Sequence, residues 1–97
     1  MAQQYIGTAR WGTKRSTTYT GTAGTISQTV SAGIYKIRVL VTTDAYVYVS
    51  DDGAAATSSN GAYVPGLLPE YVTVTPGQHV SAIQVSSGGT VEFVECI

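Results

Sequence analysis

Apolar and polar residues alternate in short runs through most of this chain, and turn-forming residues break the runs about every ten positions. In "IYKIRVLVTT", Tyr35, Ile37, Val39 and Val41 fall on one side, and Ile34, Lys36, Arg38, Leu40 and Thr42 on the other. "DAYVYVSDDG" repeats the pattern, with Ala45, Val47 and Val49 against Tyr46, Tyr48 and Ser50. A period of two cannot be served by a helix, so each run is expected to be a half-buried strand. "EYVTVT", "HVSAIQV" and "TVEFVECI" supply three more such strands. Asp51-Asp52-Gly53 and Pro76-Gly77 read as turns, in which Gly53 and Gly77 take φ > 0. The only helix candidate, "DDGAAATSSNGA", has a short Ala run between glycines and no 3.6-residue apolar stripe.

Spaced in this way, short strands predict an all-β fold, a small β-sandwich that is jelly-roll-like. About seven strands fit, which leaves a full eight-stranded jelly roll and a smaller sandwich both open. "TISQTVSAG" is read as a short strand running into a turn, and "GAAATSSNGAYVPGLLPE" as a long loop. Residues 1–23 lack sustained alternation and are rich in Thr, Gly and Ser. They are read as an extended N-terminal arm, with a short strand near "QQYIGTA", and residues 24–97 as the β-sandwich domain.

At 97 residues the chain has room for one small domain, of a size that often leans on a partner. Charged residues make up 11%, against roughly 25% in ordinary soluble domains. A surface with few charges costs little to desolvate, which suits a protein covered by neighbours. The net charge of −1 makes no case for nucleic acid. Its distribution is uneven: residues 1–30 hold Arg10, Lys14 and Arg15 and no acid, whereas residues 31–97 set Lys36 and Arg38 against six acids, a net of −4. The single cysteine, Cys96, cannot form an intrachain disulfide, which fits a reducing compartment. The N-terminal residues show no apolar signal-peptide core, and no apolar run is long enough for a membrane helix.

Catalytic and metal chemistry find no foothold. His79 would need a nucleophile or carboxylate held close, and nothing places it near Cys96. One His also argues against a zinc site, which takes three or four His, Cys or carboxylate ligands. Asp44, Asp51 and Asp52 lack the alternating oxygen ligands of a calcium loop. Glu92 and Glu95, at an odd spacing on one strand, fall on opposite faces and cannot work as a pair. The glycines of "GTAGT" and "SSGG" lack the Lys and helix of a phosphate loop. The expectation is a protein that is no enzyme and takes no cofactor or metal.

Two groups are candidates for partner binding. Arg10, Trp11, Lys14 and Arg15 join charge to an aromatic, a combination that can hold single-stranded nucleic acid or an acidic neighbouring subunit. Three charges are few for nucleic acid, where affinity scales with the phosphates neutralised, so the neighbouring subunit is preferred to it, beside the plain alternative of an ordinary loop in which Trp11 caps the core. Tyr46 and Tyr48, on the polar face of their strand, are the second group, with cross-strand packing inside the sandwich as the equal alternative.

From Gly33 onward the chain resembles a family of small all-β virion proteins of tailed bacteriophages. The residues that carry the likeness are the "AT" of "GAAATSS", the "LPEY" entry, the "TPGQHVSAIQ" hairpin and the final "GGT" strand. These proteins are similar to capsid auxiliary (cement or decoration) proteins. The resemblance implies a structural virion protein, made in the host cytoplasm, that sits on the capsid exterior and bridges major capsid protein subunits. It also implies a homo-oligomer, dimer or trimer, with no membrane partner, and carries over no catalytic or contact residue. A neck, tail or fibre component, or a carbohydrate- or receptor-binding β-sandwich module, is the alternative.

Overall fold

The structure, a computed structural model, describes residues 10–97. Eight strands form: β1 (Trp11–Tyr19), β2 (Gly24–Thr25), β3 (Lys36–Val41), β4 (Ala45–Ser50), β5 (Ala62–Val64), β6 (Glu70–Thr73), β7 (His79–Gln84) and β8 (Gly89–Cys96). They make two four-stranded antiparallel sheets, ordered β1-β8-β3-β6 and β2-β7-β4-β5. First pairs with last, second with seventh, third with sixth and fourth with fifth. This nested pairing, shared between two sheets, gives the all-β sandwich expected from the sequence, with eight strands among the described residues.

Alternation decides which side chains meet between the sheets. Ile37, Val39 and Val41 of β3 and Val91 and Phe93 of β8 face Ala45 and Val47 of β4 and Val80 and Ala82 of β7, and all are buried. The turns behave as their chemistry requires: Gly53 and Gly77 have φ of 76° and 92°. Asp52 accepts a hydrogen bond from the Ala54 amide.

Three segments depart from the sequence reading. Within residues 1–23, Trp11–Tyr19 is a strand hydrogen-bonded to β8, and its last residue, Tyr19, is buried in the core. Alternation fails to mark β1 because it is an edge strand rich in Thr, with only Arg15, Thr17 and Tyr19 on its inner side. The expected strand near "QQYIGTA" lies outside the described residues. The second departure is "TISQTVSAG", which keeps only Thr25 in a ladder. Beyond it Ile26 and Val30 are buried at a spacing of four, and each bonds the β7 side through a single amide, to the carbonyls of Val80 and Gln78. Finally, the long loop contains the three-residue strand β5, too short for alternation to mark.

Where β1 passes β2, the sheets close tightly. A Cβ on Gly24 would run into the Thr18 carbonyl, so only glycine fits there. The opposite side of the sandwich, between edge strands β5 and β6, stays open. A cleft of about 270 Å³ lies there, walled by Val39, Val47, Val49, Val64 and Val72, with Glu70 among its lining residues.

Candidate functional site

The outer face of the first sheet gathers four charged side chains, Lys14, Lys36, Arg38 and Glu92, and two aromatic ones, Trp11 and Tyr71. Its centre is Glu92 on β8, which faces outward because it alternates with the core residues Val91 and Phe93. One Glu92 oxygen accepts a hydrogen bond from the Arg38 guanidinium at 3.1 Å; the other lies 3.8 Å from the Lys14 ammonium. Arg38 and Glu92 are both mostly shielded from solvent, so their contact is a charge-assisted hydrogen bond of about 1.5–3 kcal/mol rather than a loose surface pair.

Arg38 also reaches across β8 to Trp11, its guanidinium carbon 4.7 Å from the ring centroid. At that distance a cation–π contact contributes about 0.5–1 kcal/mol. Lys36 sits likewise over Tyr71, 5.9 Å from its centroid. Trp11 is 62% exposed and Tyr71 51%, so both rings keep wide surfaces open to solvent. Val94 and Cys96 are buried although they face outward, flanked in register by Lys14, Arg38 and Trp11.

A bulge makes this grouping possible. Trp11 and Lys14 are three residues apart, a spacing that puts them on opposite faces of a regular strand. The register of β1 on β8 slips by one residue between them, so Trp11 opposes Cys96 and Lys14 opposes Val94, both on the outer face.

The residues singled out from sequence therefore divide. Trp11 and Lys14 join the outer face. Arg10 is exposed just before β1, and its carbonyl accepts a hydrogen bond from the Ile97 amide at 2.8 Å. Arg15 opposes Phe93 on the inner side of β1; its Nε is buried and has no hydrogen-bond partner among the described residues. Tyr46 and Tyr48 are half-buried on the second sheet. Tyr46 packs edge-on against Tyr63 with ring centroids 6.1 Å apart, and Tyr48 is among the residues lining the β5–β6 cleft. Sequence reasoning misses Arg38, Glu92, Lys36 and Tyr71 as members of this surface, although outward alternation on "KIRV" and "VEF" marks the first two as facing away from the core.

Glu95 faces inward, as its odd spacing from Glu92 requires, and accepts a hydrogen bond from the Ser31 amide at 2.8 Å. His79 begins β7 opposite Ser50, whereas Cys96 ends β8 opposite Trp11, so the two lie on different sheets. Among the described residues, no three His, Cys, Asp or Glu side chains cluster closely enough to hold a metal ion.

A second polar cluster fixes the exit of β5. Asp44 accepts hydrogen bonds from the Gly66 amide at 2.8 Å and the Tyr63 hydroxyl at 2.9 Å. These bonds, the Gly66 amide foremost, hold the Asp44 carboxyl below its ordinary range, and the carboxylate raises the Tyr63 phenol above its own. No protein-family model, curated protein or solved structure matches the chain.

Proposed function

We propose that this chain is a structural virion protein that binds the outside of a phage capsid and stabilises the shell by bridging major capsid subunits. One observation carries the reading: the outer face of the first sheet presents Trp11, Arg38 and Tyr71 on a rigid support. Trp, Tyr and Arg dominate the energetic centres of protein interfaces. Here Glu92 restrains Arg38, and the guanidinium restrains Trp11, so docking orders few side chains. The low charge of the chain and its likeness to phage virion proteins favour the same reading. A subunit that binds the assembled shell and not free capsid subunits stabilises the shell by mass action.

Co-sedimentation with purified shells tests it. The wild-type chain is expected to pellet with expanded shells, and Trp11→Ala to weaken binding by about 30-fold or more. Failure to bind any shell refutes the reading. Quantitative mass spectrometry of virions then sets the location: hundreds of copies mean head decoration, and a few to a few dozen mean neck, tail or fibre. Exposed Trp11 and Tyr71 also suit the face of a sugar ring, the carbohydrate-binding alternative, and a glycan array without hits would remove it.

A further inference from the structure

Two residues leave the sandwich unsealed between β5 and β6. On β5, Ala62 lies opposite Val47, so its side chain shares the inner face with that core residue. On β6, Glu70 lies opposite Val39 and faces inward in the same way. Large apolar side chains at both positions would close the gap; a methyl group and a carboxylate do not. The cleft of about 270 Å³ that both residues line is the result.

An inward charge is one device by which an exposed sheet edge resists an added strand, and Glu70 on edge strand β6 serves in that way. Such a guard needs only the charge. It does not need the hollow that Ala62 leaves beside it. A hollow walled by valines keeps apolar surface in contact with water, a cost that an apolar guest removes.

The polar groups at the cleft narrow the choice of guest. Asn60 is occupied: its Oδ1 accepts from the Thr57 amide at 2.7 Å, and its Nδ2 donates to the Ala55 carbonyl at 3.2 Å. Glu70 is not. Among the described residues both ion pairs run to Glu92, and the Glu70 carboxylate has no cation beside it. An ionised carboxylate only accepts hydrogen bonds, so the guest must bring a donor, and a positive charge strengthens that bond. The ring of Tyr48, also at the cleft, suits a cation as well. None of the described lining residues is Lys, Arg or His, so an anion would meet Glu70 uncompensated. Size sets the rest. An apolar cavity of about 150 Å³ holds benzene, so this cleft has room for a ring and a short tail.

We infer that the open β5–β6 side is a binding site for a small apolar cation, an aralkyl- or alkylammonium whose hydrocarbon part fills the valine-walled hollow and whose ammonium meets Glu70. This goes beyond capsid binding, and the site is separate from the outer face that carries Trp11 and Arg38.

Amide-resolved NMR titration of the full, isotope-labelled chain tests it, with phenethylamine, protonated at neutral pH, as the probe. Phenethyl alcohol and hydrocinnamate are close to it in shape and end in a neutral and an anionic group. The amine is expected to shift amides of β4, β5 and β6 around the cleft and to saturate with a Kd of about 1 mM. The alcohol is expected to move the same amides about 5-fold more weakly, and hydrocinnamate more weakly still. Glu70→Gln, at an exposed position, is expected to bring the amine down to the level of the alcohol. Ala62→Trp, also exposed, fills the hollow and is expected to abolish binding of both. Circular dichroism checks that each variant folds, and if Ala62→Trp does not, Glu70→Gln decides alone. A wild type without cleft shifts at about 10 mM amine overturns the inference. So does equal binding of amine and alcohol, or a set of shifts centred on the Asp51–Asp52 turn, which would mean ion pairing at exposed carboxylates only. Neither probe nor readout involves a shell, so the result stands whatever becomes of the capsid reading.

Discussion

Replacing Tyr19 by Phe removes one oxygen atom and leaves the ring in the core. That oxygen joins the end of β1 to the β3–β4 turn. It donates to the Thr43 carbonyl at 2.6 Å, accepts from the Thr43 amide at 3.2 Å and lies 2.9 Å from the Thr43 hydroxyl. Thr43 in turn donates to the Ser87 carbonyl at 2.9 Å, so the same hydroxyl cluster reaches the β7–β8 turn. The substitution leaves a backbone carbonyl and an amide of Thr43 without their partner. Each net hydrogen bond contributes about 1 kcal/mol, and an orphaned buried group costs about 1–3 kcal/mol. Thr43 is half-buried, so water repairs part of the loss. The expected destabilisation is about 2 kcal/mol. For a domain of this length, each kcal/mol moves the melting temperature by about 4–8 °C, so the midpoint should fall by about 10 °C. Urea unfolding followed by circular dichroism should show a lower midpoint with an unchanged slope, because the folded surface is the same. A shift under about 2 °C would refute the account of Tyr19 as the pin of β1.

Deleting residues 1–23 is expected to abolish cooperative unfolding, because it strips β1 from β8 and takes Tyr19 from the core; a sharp melt in the deleted protein would contradict this. Gly24→Ala is expected to destabilise by about 3 kcal/mol or more, since its methyl group meets backbone that cannot move aside, and chemical denaturation measures it. Asp44 has a lowered carboxyl pKa in the fold, so its contribution is present above the ordinary value of 3.8 and is lost as pH falls through the depressed one. The stability gap between wild type and Asp44→Asn should therefore close on acidification below about pH 4, read from denaturation midpoints across pH. A gap that persists in strong acid would mean that Asp44 acts through packing alone.

The parts of this fold that alternation reveals are the strands with one side fully buried. Ile37, Val39 and Val41 of β3 can be assigned to the core from their spacing alone, and the turns at Gly53 and Gly77 from their chemistry. β1 cannot, because an edge strand buries half as much. Thr-rich segments suit strands and exposed loops equally, and only Tyr19 is deeply buried. Of the candidate surface, the aromatic and basic character of Trp11 and Lys14 is legible. Their alliance with Arg38 and Glu92 is not, because it depends on β8 lying between β1 and β3 and on a one-residue slip in register. The β5–β6 cleft is hidden for a similar reason: its walls come from β3 to β6, and none of those segments signals that the sandwich is left open there.

β8 follows every other strand in the chain, yet it lies in the middle of the first sheet, between β1 and β3. Until it has left the ribosome, β1 has no strand to pair with, and Val39 and Val41 have no Phe93 and Val91 beside them. The first sheet therefore cannot assemble strand by strand during synthesis. It closes in one late step, which joins segments some eighty residues apart and is intrinsically slow. During that interval the nascent chain carries an exposed half-core, the kind of transient apolar surface that invites aggregation until β8 arrives.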